Sequence, residues 1–292
     1  MRCWGMAPLV LVACGIARLP QRVLLGLATV LSLLLWPLLG SRRRIAAINL
    51  GLCFPELPAD ERRRLLRANQ RDSIMGVLEL IRCWYAPSSA LTGLVARIEG
   101  LPRLQEALAS GHGVMLLTGH FTSTELAARM LSEAAGKPVI GIVRRNNSRC
   151  LEETFEKARS RVGSTLAKKD VRGMLRALQG GGMLAYSADQ NFNYQNAFVP
   201  FFGVPAATLT STPDLVRRGR AIVLPFWFHR EPDGRYCLSV EEMWPGWLEA
   251  SPEQAAAIYM RELEAVVRLH PEQYLWVHRR FKTRPPGSPA IY

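Results

Sequence analysis

Residues 119–125, Gly-His-Phe-Thr-Ser-Thr-Glu, place His120 and Glu125 five positions apart. A carboxylate beside an imidazole can fix the ring's tautomer and orientation. The second ring nitrogen is then free to take a proton from a hydroxyl, which attacks an electrophilic carbonyl. On one continuous helix, side chains five apart project about 140° from each other and do not meet. Across a strand-to-helix turn they can. A structural reading stands beside the chemical one. Thr122-x-x-Glu125 has the spacing of a capping box, in which Glu125 only satisfies backbone donors at a helix start. His120 is then a hydrogen-bonded histidine at a strand end.

The flanking residues supply the turn that the chemistry needs. Val114-Met115-Leu116-Leu117-Thr118 is a short apolar run behind Gly111-His112-Gly113, the pattern of a buried strand. Leu126, Met130 and Ala134 share one helical face downstream, and Gly136 marks the stop. His120 is thus expected at the end of a strand and Glu125 in the first turn of the following helix.

From about Arg97 onward, strand and helix signals alternate, as in an α/β domain. Residues 138–143 read as a strand, and Leu151, Phe155, Ala158 and Val162 as the buried stripe of a helix. Asp170 caps another helix, and residues 183–188 read as a strand with Asp189 just past its carboxyl end. In open α/β sheets that edge binds ligands, and both His120 and Asp189 fall on it. Residues 198–205, Phe-Val-Pro-Phe-Phe-Gly-Val-Pro, are apolar for a loop. They read as a buried crossover or as an acyl-pocket wall carrying Phe198, Phe201 and Phe202. The tail 274–285 mixes aromatics with cations, which suits phosphate or RNA, or arginines packed on rings.

Residues 1–44 contain no acidic residue, and the uncharged run from Val23 to Gly40 precedes Arg42-Arg43-Arg44. Its length approaches the ~20 residues of a membrane helix. Residues 1–44 are therefore expected to form an uncleaved N-terminal membrane anchor, with a tilted or interfacial helix as the alternative, and the scattered thiols together with the arginine triplet put the rest of the chain on the cytoplasmic side. Residues 45–96 read as a helical segment packing on the α/β domain of residues 97–292.

The 292 residues carry 37 Lys and Arg against 24 Asp and Glu, a net charge of +13. Such a surface favours anionic partners. Six cysteines are scattered without a Cys-x-x-Cys pair, which points to reduced thiols rather than a zinc site or disulfide framework. Gly-x-Ser-x-Gly, Walker, Gly-x-Gly-x-x-Gly and His-Glu-x-x-His motifs are absent. Serine hydrolases, nucleotide enzymes and zincins are poor fits. A tethered nucleic-acid binder would share the charge, but it would make no use of His120.

Taken in order, these segments resemble one family, the late (secondary) acyltransferases of lipid A biosynthesis, the lauroyl and myristoyl transferases. Their wider relatives are glycerolipid acyltransferases sharing a His-x4-Asp/Glu motif. The matching pieces are the basic N-terminal segment, Asn49-Leu50 with Cys53-Phe54-Pro55-Glu56, and Gly119-His120-Phe121-x-x-x-Glu125. They continue with Asp189, Phe198 to Gly203, Ala206-Ala207-Thr208 and Pro271 to Pro285. The resemblance implies a glycerolipid-acyltransferase-like mixed sheet flanked by helices, behind an N-terminal anchor at the inner membrane with the catalytic domain on its cytoplasmic side. It implies transfer of a fatty acyl group from an acyl carrier protein thioester to the hydroxyl of a 3-hydroxyacyl chain on a Kdo-lipid A precursor, without cofactor, metal, nucleic acid or covalent enzyme intermediate. His120 would be the general base and Glu125 its orienting partner. Arg159 would hold a phosphate or the oxyanion, and Asp189 would organise that arginine or the surrounding polar network. Asp189-Gln190-Asn191 is less acidic than in many members. Another acceptor on the same fold, such as a phosphatidylinositol mannoside, ornithine lipid or lysophospholipid, is the alternative.

Overall fold

The structure, a computed structural model, describes residues 6–292. Strand β2 (Val114–Thr118) is buried along its whole length because both of its edges are paired and helices cover both faces of the sheet. It runs parallel to β5 (Met183–Ser187) on one side and β8 (Ile222–Arg230) on the other. Strands β1 (Val95–Glu99), β3 (Val139–Val143), β4 (Ser164–Ala167) and β9 (Tyr236–Val240) complete a seven-stranded sheet of order β1-β9-β8-β2-β5-β3-β4. Only the β8–β9 pair is antiparallel. The sheet is therefore mixed, as the resemblance implies, and parallel-dominated.

Helices pack around it: α6 (Leu101–Ala109), α7 (Thr124–Ala135), α8 (Arg149–Arg159), α9 (Val171–Gln179), α10 (Thr212–Gly219) and α11 (Pro252–Leu269). Helix α7 buries Leu126, Ala127, Met130 and Leu131 and ends at Gly136, whose φ of 66° is the left-handed helix-stop conformation. Burial of Leu126, Met130 and Leu131 contributes about 1.5–3 kcal/mol each.

Phe198 to Pro205 is not a loop. It forms a hairpin of β6 (Asn196–Phe201) and β7 (Val204–Leu209). Its two-residue turn, Phe202-Gly203, has φ of 53° and 72°, both positive as a type I′ turn demands. Pro200 and Pro205 face each other in this ribbon, where unpaired outer edges accommodate residues without an N–H.

The N-terminal segment departs from the expected anchor. It forms α1 (Ala7–Ala17), α2 (Gln21–Leu34) and α3 (Gly40–Cys53), followed by α4 (Ala59–Tyr85) and the single turn α5 (Ser89–Thr92). Among the described residues, no helix is long and apolar enough to cross a membrane. The run from Val23 to Gly40 is interrupted because α2 stops at Leu34 and a turn around Pro37 intervenes. The 14 residues of α2 rise about 21 Å, against roughly 30 Å of hydrocarbon core. One face of α2 is also taken up by protein: Leu24 and Ala28 pack on Met75 and Leu78 of α4. The transmembrane reading falls on this ground. The same finding overturns the expected inner-membrane location with the catalytic domain on its cytoplasmic side.

Cys53, Cys83 and Cys237 are buried free thiols, and Cys14 is a partly buried one. Cys3 lies outside the described residues. Cys150 is disulfide-bonded, so the reading of reduced thiols does not extend to it.

Candidate active site

The parallel register of β2 and β5 pairs Thr118 with Ser187 at their carboxyl ends. His120 and Asp189 each lie two residues further on, so they emerge side by side at the sheet's edge. The His120 backbone N–H donates to Asp189 Oδ2 at 2.9 Å, and the ring Nδ1 lies 2.5 Å from Asp189 Oδ1. The Tyr274 hydroxyl donates to Oδ2 at 2.8 Å. Asp189 is 1 % exposed, whereas the His120 side chain remains one-third exposed.

These contacts settle the protonation states. Burial alone would raise the Asp189 carboxyl, but the His120 charge and three donated hydrogen bonds outweigh it and hold the group well below the usual carboxylate range. An ionised carboxylate only accepts, so Nδ1 carries the proton and Nε2 is left as the basic nitrogen. For His120, desolvation pulls downward, and the charge and hydrogen bond of Asp189 together prevail, leaving the imidazole above its ordinary value.

A carboxy-terminal strap fixes the loop that carries His120. Thr122 N–H donates to Gln273 O at 2.8 Å and Leu275 N–H to His120 O at 3.0 Å, around a bridge between Phe121 and Tyr274. Buried Asn69 donates to the carbonyls of Glu272 and Tyr274, both at 2.8 Å, and buried Asn49 to those of Trp276 and His278. Beneath the site, the Tyr259 hydroxyl of α11 donates to Thr118 O at 2.7 Å and accepts from Ala188 N–H at 3.3 Å. It ties the ends of β2 and β5 together. In the tail, Arg280 is buried and donates to Ala207 O at 2.8 Å, so it braces β7 rather than facing a ligand.

Glu125 lies in the first turn of α7, as expected, but its bonds run elsewhere. Its Oε2 accepts the Trp84 indole N–H at 2.9 Å, and Oε1 lies 3.5 Å from Arg159 Nη2. The Arg159 guanidinium stands 5.1 Å over Trp84 and 5.7 Å over Phe155. Its Nε is buried without a hydrogen-bond partner. The orienting bonds given to Glu125 by the sequence reading are thus made by Asp189, and the arginine given to Asp189 pairs with Glu125. The reason is geometric. Asp189 is in register with His120 across β2–β5, whereas Glu125 has already entered a helix that packs against α4. The capping-box alternative does not form. The N-cap of α7 is Ser123 with no side-chain cap bond, and Thr122 Oγ1 has no partner.

Phe201 and Phe202 are buried in an aromatic cluster with Phe54, Tyr274, Trp276 and Phe281, while Phe198 is partly exposed. Trp84, Tyr259, Tyr274 and Gln273 were not singled out by sequence reasoning. Of these, Gln273 and Tyr274 carried a signal, through the tail segment that begins at Pro271. A cavity of about 250 Å³ opens where α1, α4 and α8 meet, lined by Val10, Tyr85, Lys157, Ala158 and Arg161 among others. The Arg161 guanidinium sits 5.1 Å over Tyr85.

The fold and this edge define a class: an α/β protein with a histidine–carboxylate pair at the carboxyl end of its central strands and a second acid–arginine pair on its flanking helices. Comparison with known proteins narrows it. The family model for bacterial lipid A biosynthesis acyltransferases matches residues 1–283. The chain is 34% identical over 286 residues to the lipid A biosynthesis lauroyltransferase of Escherichia coli (strain K12), covering 95% of this chain and 91% of that protein. It is 33% identical to the palmitoleoyltransferase of the same organism, over 94% of this chain and 90% of that protein. With the myristoyltransferase of that strain it shares 28% identity, over 86% and 79% respectively. The protein belongs to the bacterial lipid A biosynthesis acyltransferase family and is an acyltransferase.

Proposed function

We propose that this acyltransferase moves a fatty acyl group from an acyl carrier protein thioester to the hydroxyl of a 3-hydroxyacyl chain on a Kdo-lipid A precursor, with His120 as general base. The observation that carries the mechanism is the doubly bonded His120–Asp189 pair, which leaves Nε2 free on a partly exposed ring. His120 Nε2 takes the proton of the acceptor hydroxyl while its oxygen attacks the thioester carbonyl. A C–O bond forms, and the carbonyl electron pair moves onto its oxygen. Collapse breaks the C–S bond, and the imidazolium returns its proton to the departing thiolate. Asp189 holds the tautomer and stabilises the transient imidazolium. A thioester is already activated, so no enzyme nucleophile is needed.

Arg159, with an unused buried Nε, suits the developing oxyanion or a phosphate of the acceptor. Glu125 and Trp84 position it. The cavity beside α8 combines apolar walls with Lys157 and Arg161 against one carboxylate, Glu153, a net cationic lining suited to the phosphorylated end of a lipid. Phe198, partly exposed on β6, offers apolar surface to the acyl chain. The test is purified protein with acyl carrier protein thioesters and Kdo-lipid A precursor, with products read by mass spectrometry and lysophospholipid as a competing acceptor. Precursor acylation lost in His120→Ala is expected. Acylation of lysophospholipid alone would move the assignment to another acceptor.

A further inference from the structure

His229, Glu231 and Cys237 are far from a metal-binding spacing in sequence, yet the β8–β9 hairpin gathers them. His229 and Cys237 are direct cross-strand partners. Glu231 is placed by the tight turn after β8, where its N–H donates to Arg235 O at 2.7 Å and its carbonyl accepts from Gly234 N–H at 2.9 Å. Glu231 Oε1 then lies 3.1 Å from His229 Nε2 and 3.1 Å from Cys237 Sγ. One donor atom from each of the three lies within 4.8 Å of the others, the one such trio among the described residues. Ligands around a tetrahedral zinc stand roughly 3.3–3.8 Å apart, so only small side-chain movements separate this trio from coordination geometry.

We propose that His229, Glu231 and Cys237 form a binding site for a borderline-soft divalent cation, zinc above all, with the fourth position open to water. Imidazole nitrogen, thiolate sulfur and carboxylate oxygen together favour zinc over the hard cations magnesium and calcium. On binding, the Cys237 thiol proton passes to solvent and the Sγ–H···Oε1 bond is replaced by two metal–ligand bonds. Cys237 is buried, but His229 and Glu231 keep 21% and 36% side-chain exposure, which provides the entry path. The neighbouring cation Arg97 is engaged by Glu99 at 2.9 Å. The His270 ring stacks on His229 at 4.0 Å between centroids and 14° between planes, holding the imidazole in place. The site clasps the hairpin end.

The test is cobalt(II) titration of the untagged, chelator-stripped full-length protein, followed by visible and near-ultraviolet absorption. One equivalent with a thiolate-to-cobalt charge-transfer band, displaced by zinc, is expected. Cys237→Ser should remove that band, and His229→Ala or Glu231→Gln should weaken binding by at least roughly 10–100-fold. Glu231→Gln alters a partly exposed group and serves if the buried cysteine variant fails to fold. An unchanged band in Cys237→Ser, unchanged affinity in Glu231→Gln, or no uptake by the parent protein would each overturn the site.

Discussion

His120 and Asp189 are joined twice, once through the histidine's backbone N–H at 2.9 Å and once through its ring at 2.5 Å. One carboxylate therefore positions both the chain and the side chain of the proposed base. That arrangement follows from two parallel strands ending in register, and it separates the roles of the two acids at the site.

The pH dependence of turnover follows from the same pair. A general base works in its neutral form, and Asp189 holds the His120 imidazole above its ordinary 6.5. The value of kcat/KM should rise with pH and level off above an inflection higher than 6.5, measured with a pH-independent donor. Stability runs the other way for this group. The His120 contribution is full below 6.5 and is lost as pH rises through the folded-state value. For Asp189, held below its ordinary 3.8, the contribution is present above that value and is lost as the solution is acidified below it.

Glu125 and Arg159 should respond differently from Asp189. Arg159→Gln removes the forked cation beside Trp84, and kcat should fall on the order of 10²–10³-fold. Glu125→Gln keeps the acceptor for the Trp84 indole and should cost less. In both variants the inflection of the pH profile should stay where it is, because neither residue bonds His120. A shifted inflection in Glu125→Gln would restore Glu125 as the orienting acid.

Gly76 of α4 sits directly under the catalytic loop. A Cβ there would lie 2.5 Å from the Thr122 carbonyl oxygen and 3.0 Å from its carbon, and backbone cannot swing aside as a side chain can. Gly76→Ala should cost about 1–3 kcal/mol of stability and lower kcat by displacing His120. Thermal unfolding and turnover measured on the same preparation check both effects.

Arg230 is buried between Asp72 and Glu79, and Glu79 also accepts from the Tyr236 hydroxyl. Arg230→Met leaves buried Glu79 without its paired cation and Asp72 with only the half-exposed Arg71 at 3.4 Å, and should cost about 3–5 kcal/mol. Adding Asp72→Asn and Glu79→Gln should recover much of that loss. Denaturant unfolding of the single and triple variants makes the comparison.

Much of the central sheet is legible in the sequence because its strands are short apolar runs punctuated by glycine, as at Gly111 to Thr118, Pro138 to Val143 and Gly180 to Ala188. Asp170 caps α9 by accepting from Gly173 N–H at 2.8 Å, as its position suggests. Partner choice at the site is less legible. The His-x4-Glu spacing draws attention to the acid nearest in sequence, whereas register across β2–β5 selects one 69 residues away. Tyr259 reaches the site through long-range packing that leaves no local pattern, whereas Tyr274 lies in the tail segment but its bond to Asp189 is made only by the fold. The hairpin of β6 and β7 is hidden because its prolines read as strand breakers, and the N-terminal apolar run resembles a span until Pro37 and the packing of Leu24 on α4 are seen.

The most direct measurement is the pH profile of kcat/KM for Asp189→Asn beside the parent protein. Losing the charge that raises His120 should move the inflection to lower pH. Losing the fixed tautomer should lower the plateau on the order of 10²–10⁴-fold. A profile with unchanged inflection and plateau would show that Asp189 does not govern the base, and would contradict the pairing at its root.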